Sequence, residues 1–233
     1  MTDLPYKRAL IVGAGSGISA SLTRRLASLS VRVGLAGRNV PKLDRLVEET
    51  GAIAFTADAA NAASIAKLFD DVDATLGEPD LVIFNAQARL RGPLIDLDPN
   101  EVASAVAVGA LGGFYVAQQA ARRMLAHRRG AILFTGASAS LKGYAQSAPF
   151  AMSKFALRAL AQCTARELGP KGIHVAHFVI DGVVRSTLHP DPADNPGSTL
   201  DPDAIAQTYV DVLRQDRSAW SLEVEVRPWV ETF

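Results

Sequence analysis

The side chains best suited to chemistry lie close together, between residues 135 and 154. Lys154 ends the segment Phe150-Ala151-Met152-Ser153-Lys154, and the hydroxyl groups of Ser138 and Tyr144 come shortly before it. An ammonium group can hold a hydroxyl or an anion, and a hydroxyl group can pass on a proton. We therefore take Lys154, Ser138 and Tyr144 as candidate catalytic residues. The alternatives are a surface lysine on a helix and, for Tyr144, an aromatic residue in the wall of a pocket.

A glycine-rich turn near the N-terminus points to a phosphate site. It lies between the apolar run Ala9–Val12 and an amphipathic stretch that begins at Ile18. Glycines allow positive φ angles and let backbone N–H groups approach a pyrophosphate at the start of a helix. A tight structural turn is the alternative, but the strand–turn–helix context is the one that a dinucleotide motif requires. The candidate cofactor residues in this turn are Gly13, Gly15, Ser16, Gly17 and Ile18.

The end of the second apolar run indicates which dinucleotide would bind. An NAD site would place a carboxylate here for the ribose 2′-hydroxyl, but the chain has Gly37 followed by Arg38. A guanidinium suits a 2′-phosphate, because it can form bidentate, charge-assisted hydrogen bonds. The sequence therefore favours NADP(H), with NAD(H) as the alternative.

The residues around these motifs predict an α/β fold. Apolar runs typical of strands buried on both faces alternate with stretches of helical periodicity. This alternation predicts a doubly wound parallel sheet, a Rossmann fold of about seven strands with helices on both faces, in a single domain over residues 1–233. The predicted strands are Ala9–Val12, Val31–Ala36, Ala52–Phe55, Leu81–Phe84, Ala131–Phe134, His174–Ile180 and Leu222–Val226.

A proline-rich segment follows the sixth predicted strand. The loop Leu188–Asp203 contains four prolines and few apolar residues, which indicates a surface excursion. Ligands of such sheets bind beyond the carboxyl ends of the strands, so we expect a short substrate lid around 186–215. A long connection without a function is the alternative.

Composition limits the partners. The 233 residues carry 24 basic and 24 acidic side chains and no net charge, which gives no electrostatic reason to bind nucleic acid or an anionic membrane. The single cysteine, Cys163, cannot form an internal disulfide and is typical of a reducing compartment. The four histidines lack metal-ligand spacing. We expect a cytoplasmic protein with a small-molecule substrate and neither nucleic-acid nor membrane partners.

Taken together, these motifs resemble the short-chain dehydrogenase/reductase family over nearly the whole chain. Gly13 and Gly17 match its glycine turn, and Asn85-Ala86 matches its asparagine-containing segment after the fourth strand. The chain departs from the family pattern at Val12, Ser19, Phe84, Gln87 and Asp181. The resemblance implies further cofactor-binding residues, namely Asp58, Ala59, Asn85, Ala86, Gly182, Val183 and, through the nicotinamide ribose, Lys154.

The same resemblance shows that three of four family catalytic positions are altered. Lys154 is kept, but Phe150 stands where the family has its tyrosine, and Ala137 and Gly109 stand at the serine and asparagine positions. A shift of one residue would put Ser138 in the serine's place. The candidate substitute acids are Tyr144, Ser138 and Ser147. Loss of a general acid lowers a rate by roughly 10²–10⁴, whereas the positioning of the reactants survives.

Three hypotheses follow. The first is an NADP(H)-dependent oxidoreductase that transfers hydride to or from a small carbonyl, an alcohol or an activated double bond, with a modified proton-transfer step. The second is a catalytically weak or inactive NADP(H)-binding protein, such as a redox-responsive partner, and the third is a structural subunit. By resemblance, the apolar helices Val102–Leu125 and Phe150–Leu168 imply a homodimer or homotetramer.

Overall fold

A seven-stranded parallel sheet forms the centre of the computed structural model, which describes residues 4–230. The strand order is β3-β2-β1-β4-β5-β6-β7. The predicted doubly wound sheet is therefore confirmed, while the first and last three residues of the predicted 1–233 domain lie outside the described part. The strands are β1 Arg8–Val12, β2 Arg32–Gly37, β3 Ile53–Thr56, β4 Leu81–Phe84, β5 Gly130–Thr135, β6 Ile173–Ile180 and β7 Glu223–Val226.

Helices cover both faces of the sheet because its central strands have apolar side chains on both sides. Leu35 and Phe178 belong to one buried cluster, to which α1 and α7 contribute, and Val82 and Phe134 belong to the other, with α3, α5 and α6. The helices are α1 Ile18–Ser28, α2 Asp44–Thr50, α3 Ala62–Thr75, α4 Pro99–Val106, α5 Gly112–His127, α6 Ala148–Leu168 and α7 Pro202–Leu213.

The direction of winding reverses between β1 and β4, and this reversal positions the site. In the parallel register, Val12 at the end of β1 lies opposite Ala36 of β2 and Phe84 of β4. The loops that leave these strands diverge to opposite faces, which opens a crevice at their carboxyl ends. The glycine turn and the Asn85 segment both begin at this crevice.

The segment predicted as a lid divides into two parts. From Pro202 to Leu213 the chain forms α7, which packs on α1 and buries Ile205 and Tyr209 in the core. The lid prediction is therefore wrong for this part, which is a core helix. The preceding loop closes on itself, since Asp191 accepts hydrogen bonds from the backbone N–H groups of Gly197 and Thr199. The lid prediction now concerns residues 186–201.

One long helical run combines α4, a π-helical turn at Ala107–Leu111 and α5. Within residues 4–230, Pro99–His127 is the one helical run that meets the length and apolar composition of a membrane span. One side of it packs on the sheet through residues such as Val116 and Met124. Leu111 at the end of the π-helical turn and Phe114 on α5 are exposed, as are Met152 and Phe155 on α6.

A buried tyrosine connects α7 to the end of β5. The Tyr209 ring stacks on Phe178 with the ring centroids 3.5 Å apart, and its hydroxyl lies 2.9 Å from Thr135 Oγ1. Burial raises the pKa of Tyr209, so the phenol stays neutral at physiological pH.

We predict that Tyr209→Phe lowers the free energy of unfolding by about 1–3 kcal/mol, because Thr135 loses its buried hydrogen-bond partner. Urea denaturation measures the change. In a Thr135→Val background the same substitution should cost clearly less. An equal cost in both backgrounds would show that the two hydroxyls are not coupled.

Candidate active site

Two adjoining cavities occupy the crevice. The glycine-turn cavity, of about 440 Å³, is lined by residues that include Gly13, Arg38 and Asp58. The Phe150 cavity, of about 940 Å³, is lined by residues that include Ser138 and Phe150. The two linings share Ile18, Asn85, Gln87 and Val184. The crevice is therefore continuous from the end of β2 to the start of α6.

Gly13 fixes the path of the chain as it leaves β1. Its φ of +92° lies in the left-handed region, and a Cβ atom there would come within 2.3 Å of the Ala86 backbone nitrogen. The N–H groups of Gly13 and Ala14 both donate to the Ala36 carbonyl at 2.9 Å. Glycine at this position is therefore required by a close approach of the β1 and β4 loops as well as by the turn itself.

Ser19 connects the glycine turn to the Asn85 segment, although the sequence marked it only as a departure from a glycine. Its side chain is buried and donates to the Gly13 carbonyl at 3.1 Å. Asn85 Nδ2 donates to Ser19 Oγ at 2.7 Å. The hydroxyl thus holds both loops of the crevice, and no local sequence pattern identifies this role because the partners lie 66 residues apart.

The glycine-turn cavity fits a dinucleotide phosphate group. A Cβ atom added at Gly15 or Gly17 would meet nothing within 4 Å, so internal packing does not explain these glycines. Helix α1 has no acidic residue in its first turn and no side-chain cap, which leaves its first N–H groups available to an anion. Residues able to hold the cofactor here are Gly13, Gly15, Gly17, Ile18, Asn85 and Ala86.

The residues expected near the adenosine also line this cavity, whereas Ser16 of the glycine turn does not. Arg38 is exposed and faces the cavity, as do Asp58 and Ala59. The Asp58 carboxylate accepts a hydrogen bond from the Ala60 N–H at 3.0 Å. Ser16 is exposed and belongs to neither cavity lining.

The Phe150 cavity brings together most of the remaining predicted residues. Ser138 and Tyr144 line it, as do Gly182 and Val183 from the loop after β6. The same lining includes Phe150 and further hydroxyl-bearing residues, among them Ser147. Tyr144 is half exposed, with the Lys142 ammonium 5.8 Å from its ring centroid.

Lys154 lies next to Phe150 and is not part of either cavity lining. It is 2% exposed, and its Nζ donates to the Thr135 carbonyl at 2.7 Å. The Phe150 ring centroid is 5.6 Å from Nζ, within reach of a cation–π interaction. Burial, with a smaller effect from the Arg89 charge, lowers the pKa of Lys154 to about 8. The cation therefore persists at neutral pH behind an aromatic side chain.

Close packing explains one of the altered family positions. Gly109 lies in the π-helical turn, and a Cβ atom there would come within 2.8 Å of Ser153 Cβ. An asparagine would require α6 to shift. Ala137 lines the Phe150 cavity next to Ser138, so the hydroxyl in this segment faces the cavity from one residue further along.

A buried network holds the segment that carries Ser138. Ser140 is fully buried, and its Oγ accepts from the Ala137 N–H at 3.2 Å and lies 3.3 Å from His177 Nε2. His177 Nδ1 lies 3.2 Å from Glu223 Oε2. Burial lowers the pKa of His177 to about 4, so the neutral ring donates to Glu223 and accepts from Ser140. Because Ser140 lines neither cavity, the network positions the loop.

Comparison with known proteins agrees with this geometry. The model of the short chain dehydrogenase family matches residues 7–193, and the chain belongs to that family. It is 28% identical to an uncharacterized oxidoreductase of Staphylococcus aureus (strain N315), over 98% of this chain and 100% of the relative.

Two solved structures are similar over nearly their whole length. A short-chain dehydrogenase from Rhodopseudomonas palustris is 34% identical, with a TM-score of 0.84 over 96% of this chain and 99% of that one. A metagenomic short-chain oxidoreductase in complex with NADP is 27% identical, with a TM-score of 0.84 over 97% and 98% of the two chains. These likenesses support the family assignment, and an oxidoreductase class follows from it.

We predict that acid destabilises the protein through His177. The folded-state pKa of about 4 lies below the ordinary value of about 6.5, so the stabilisation is complete above pH 6.5 and is lost as the pH falls toward 4. Between pH 7 and pH 5 the loss from this residue should be about 2 kcal/mol. Urea denaturation at several pH values measures it. His177→Gln should flatten this dependence, and an unchanged slope would contradict the assignment.

Proposed function

We propose that the protein is an NADP(H)-dependent oxidoreductase that transfers hydride to or from a small carbonyl compound, an alcohol or an activated double bond. The observation that carries the proposal is the continuity of the two cavities through Ile18, Asn85, Gln87 and Val184. A dinucleotide held at the glycine turn can extend into the Phe150 cavity, where a substrate has room beside it.

The preference for NADP(H) over NAD(H) rests on Arg38. This guanidinium faces the glycine-turn cavity, next to a glycine at the position where a carboxylate would hold a ribose 2′-hydroxyl. The metagenomic relative in complex with NADP supports the same choice. Bidentate hydrogen bonds to a 2′-phosphate would give Arg38 its role.

NADPH, when bound, supplies the hydride. The chain's own residues bind and orient the reactants, and such positioning can supply roughly 7–11 kcal/mol of a reaction barrier. Gly15 and Gly17 leave room for phosphate oxygens against the start of α1. Val183 and Val184 close the other side of the crevice.

The proton-transfer step differs from that of the family because Phe150 has no proton to give. A carbonyl reduced to an alcohol gains a hydride at carbon and a proton at oxygen. Ser138, Tyr144 and Ser147 are the hydroxyl-bearing candidates in the cavity wall, and water that enters the cavity is a further source. An activated double bond or an imine would not need a tyrosine at this position.

The second candidate function is a catalytically weak or inactive NADP(H)-binding protein. The observation that favours it is that Lys154 is buried next to the Phe150 ring, and that Phe150, not Lys154, lines the cavity. Lys154 contacts the Thr135 carbonyl instead.

We further propose a homodimer or homotetramer in the cytoplasm, with no nucleic-acid or membrane partner. The π-helical turn, α5 and α6 carry exposed apolar side chains that favour a second copy of this chain as their cover, namely Leu111, Phe114, Met152 and Phe155. The absence of net charge supports the exclusion of nucleic acid.

Arg38→Gln should weaken NADPH binding at least tenfold, equivalent to about 1.4 kcal/mol, and leave NADH binding nearly unchanged. Titration of cofactor fluorescence measures both affinities. Arg166→Gln is the matched control, because Arg166 is exposed on α6 and bonds to the carbonyl of Gln162 in its own helix. Equal losses for NADPH and NADH, or none, would remove Arg38 from the 2′-phosphate site.

Phe150→Tyr tests the proposed chemistry. A tyrosine there would have the Lys154 and Arg89 cations beside its ring, which lowers a phenol pKa and makes it a better acid near neutral pH. We predict that NADPH-dependent reduction of simple carbonyls rises by roughly 10²-fold or more. Phe155→Tyr, on the exposed side of the same helix, should leave the rate of carbonyl reduction unchanged. Normal NADPH binding without any gain would favour the non-catalytic candidate.

A further inference from the structure

The Phe150 cavity contains two arginines that neither the family motifs nor the proposed proton transfer uses. Arg89 and Arg91 follow β4 in the same loop as Asn85, and both line the cavity. Within residues 4–230, neither guanidinium lies within 4.0 Å of a carboxylate. Arg89 does contact an aromatic ring, with Cζ 5.2 Å from the Phe150 centroid.

The loop that carries these arginines is hydrogen-bonded to the loop that carries Tyr144. The Gly92 N–H donates to the Gln146 carbonyl at 3.1 Å, and Gln146 holds a φ of +59°. Gln146 belongs to the same loop as Tyr144, so this hydrogen bond connects the arginine loop to the Tyr144 loop. Arg89 and Arg91 are both exposed, and the Arg89 guanidinium lies over the Phe150 ring.

The charges around the cavity are predominantly positive. The charged side chains of its lining are Arg89, Arg91 and Asp181, with His189 as the one further titratable imidazole. The Lys154 ammonium lies behind Phe150. Burial and the nearby Arg91 charge lower the pKa of Arg89, so these cations repel one another in the protein alone. A bound anion would relieve this repulsion.

We propose that the substrate carries an acidic group, a carboxylate or a phosphate, which Arg89 and Arg91 bind inside the Phe150 cavity. This inference rests on the proposed function and adds the class of substrate. Guanidinium groups match both anions through paired, charge-assisted hydrogen bonds. The cofactor phosphates are not the intended partner, because the lining of the glycine-turn cavity includes neither arginine.

Matched pairs of probes test the proposal by binding, without any need for turnover. Ligand-observed NMR with the NADPH-saturated protein would compare 4-oxopentanoate with its methyl ester, and dihydroxyacetone phosphate with dihydroxyacetone. We expect at least one anion to bind about tenfold more tightly than its neutral partner. The stronger of the two arms identifies a carboxylate or a phosphate as the preferred group.

The variants Arg89→Gln and Arg91→Gln should each remove most of this preference, whereas Arg166→Gln should keep it. Equal binding of acid and ester, or a preference that survives both arginine substitutions, would overturn the anion site. The same titrations on cofactor-free protein separate the two proposals. Anion preference without NADPH binding would refute the proposed oxidoreductase but retain the anion site. NADPH binding without anion preference would refute the anion site but retain the proposed oxidoreductase.

Discussion

The arrangement of the site depends on the buried ammonium group of Lys154. An ammonium removed from water is costly unless it keeps a hydrogen bond and an electron-rich neighbour. The Thr135 carbonyl and the Phe150 ring provide these two contacts. Within residues 4–230 no carboxylate forms an ion pair with this ammonium, so no opposite charge next to it neutralises its effect on Phe150.

The end of β5 must stay in place for this arrangement to hold. Thr135 is held by Tyr209 from α7, and the segment after it is held by the Ser140–His177–Glu223 network. Arg158 on α6 donates to Glu223 at 2.7 and 2.8 Å, which connects the helix of Lys154 to the same network. The altered catalytic positions therefore lie in well-packed surroundings: Phe150 covers the lysine, and Gly109 accommodates Ser153.

The fold and the residues that line the glycine-turn cavity could be predicted because their signals are local. Runs such as Leu81–Phe84 are apolar at every position, and the glycine turn combines a strand, glycines and a helix within a few residues. The lid prediction extended too far because Pro202 looks like part of the proline-rich loop. Pro202 is instead the first residue of α7, with Asp201 as its N-cap, where the fixed φ of proline suits a helix.

The remaining features depend on distant pairs. Ser19 is hydrogen-bonded to Asn85, and Ser140 is connected through His177 to Glu223. These partners are far apart in the sequence, so local patterns do not predict the contacts. Arg89 follows β4 closely in the sequence, which indicates a cation near the crevice, but its contact with the Phe150 ring depends on the fold. The hydrogen bond from Lys154 to the Thr135 carbonyl likewise needs the fold, and the contact of Lys154 with the nicotinamide ribose stays a prediction.

Hydrogen–deuterium exchange with and without NADPH tests most directly whether one dinucleotide spans both cavities. If one dinucleotide spans both cavities, NADPH slows exchange in the glycine turn at 13–18, in the Asn85 segment at 85–87 and in the loop at 182–186. These segments line the continuous crevice. Protection confined to the glycine turn would mean that the cofactor does not reach the Phe150 cavity. Protection in none of these segments would contradict the nucleotide site itself.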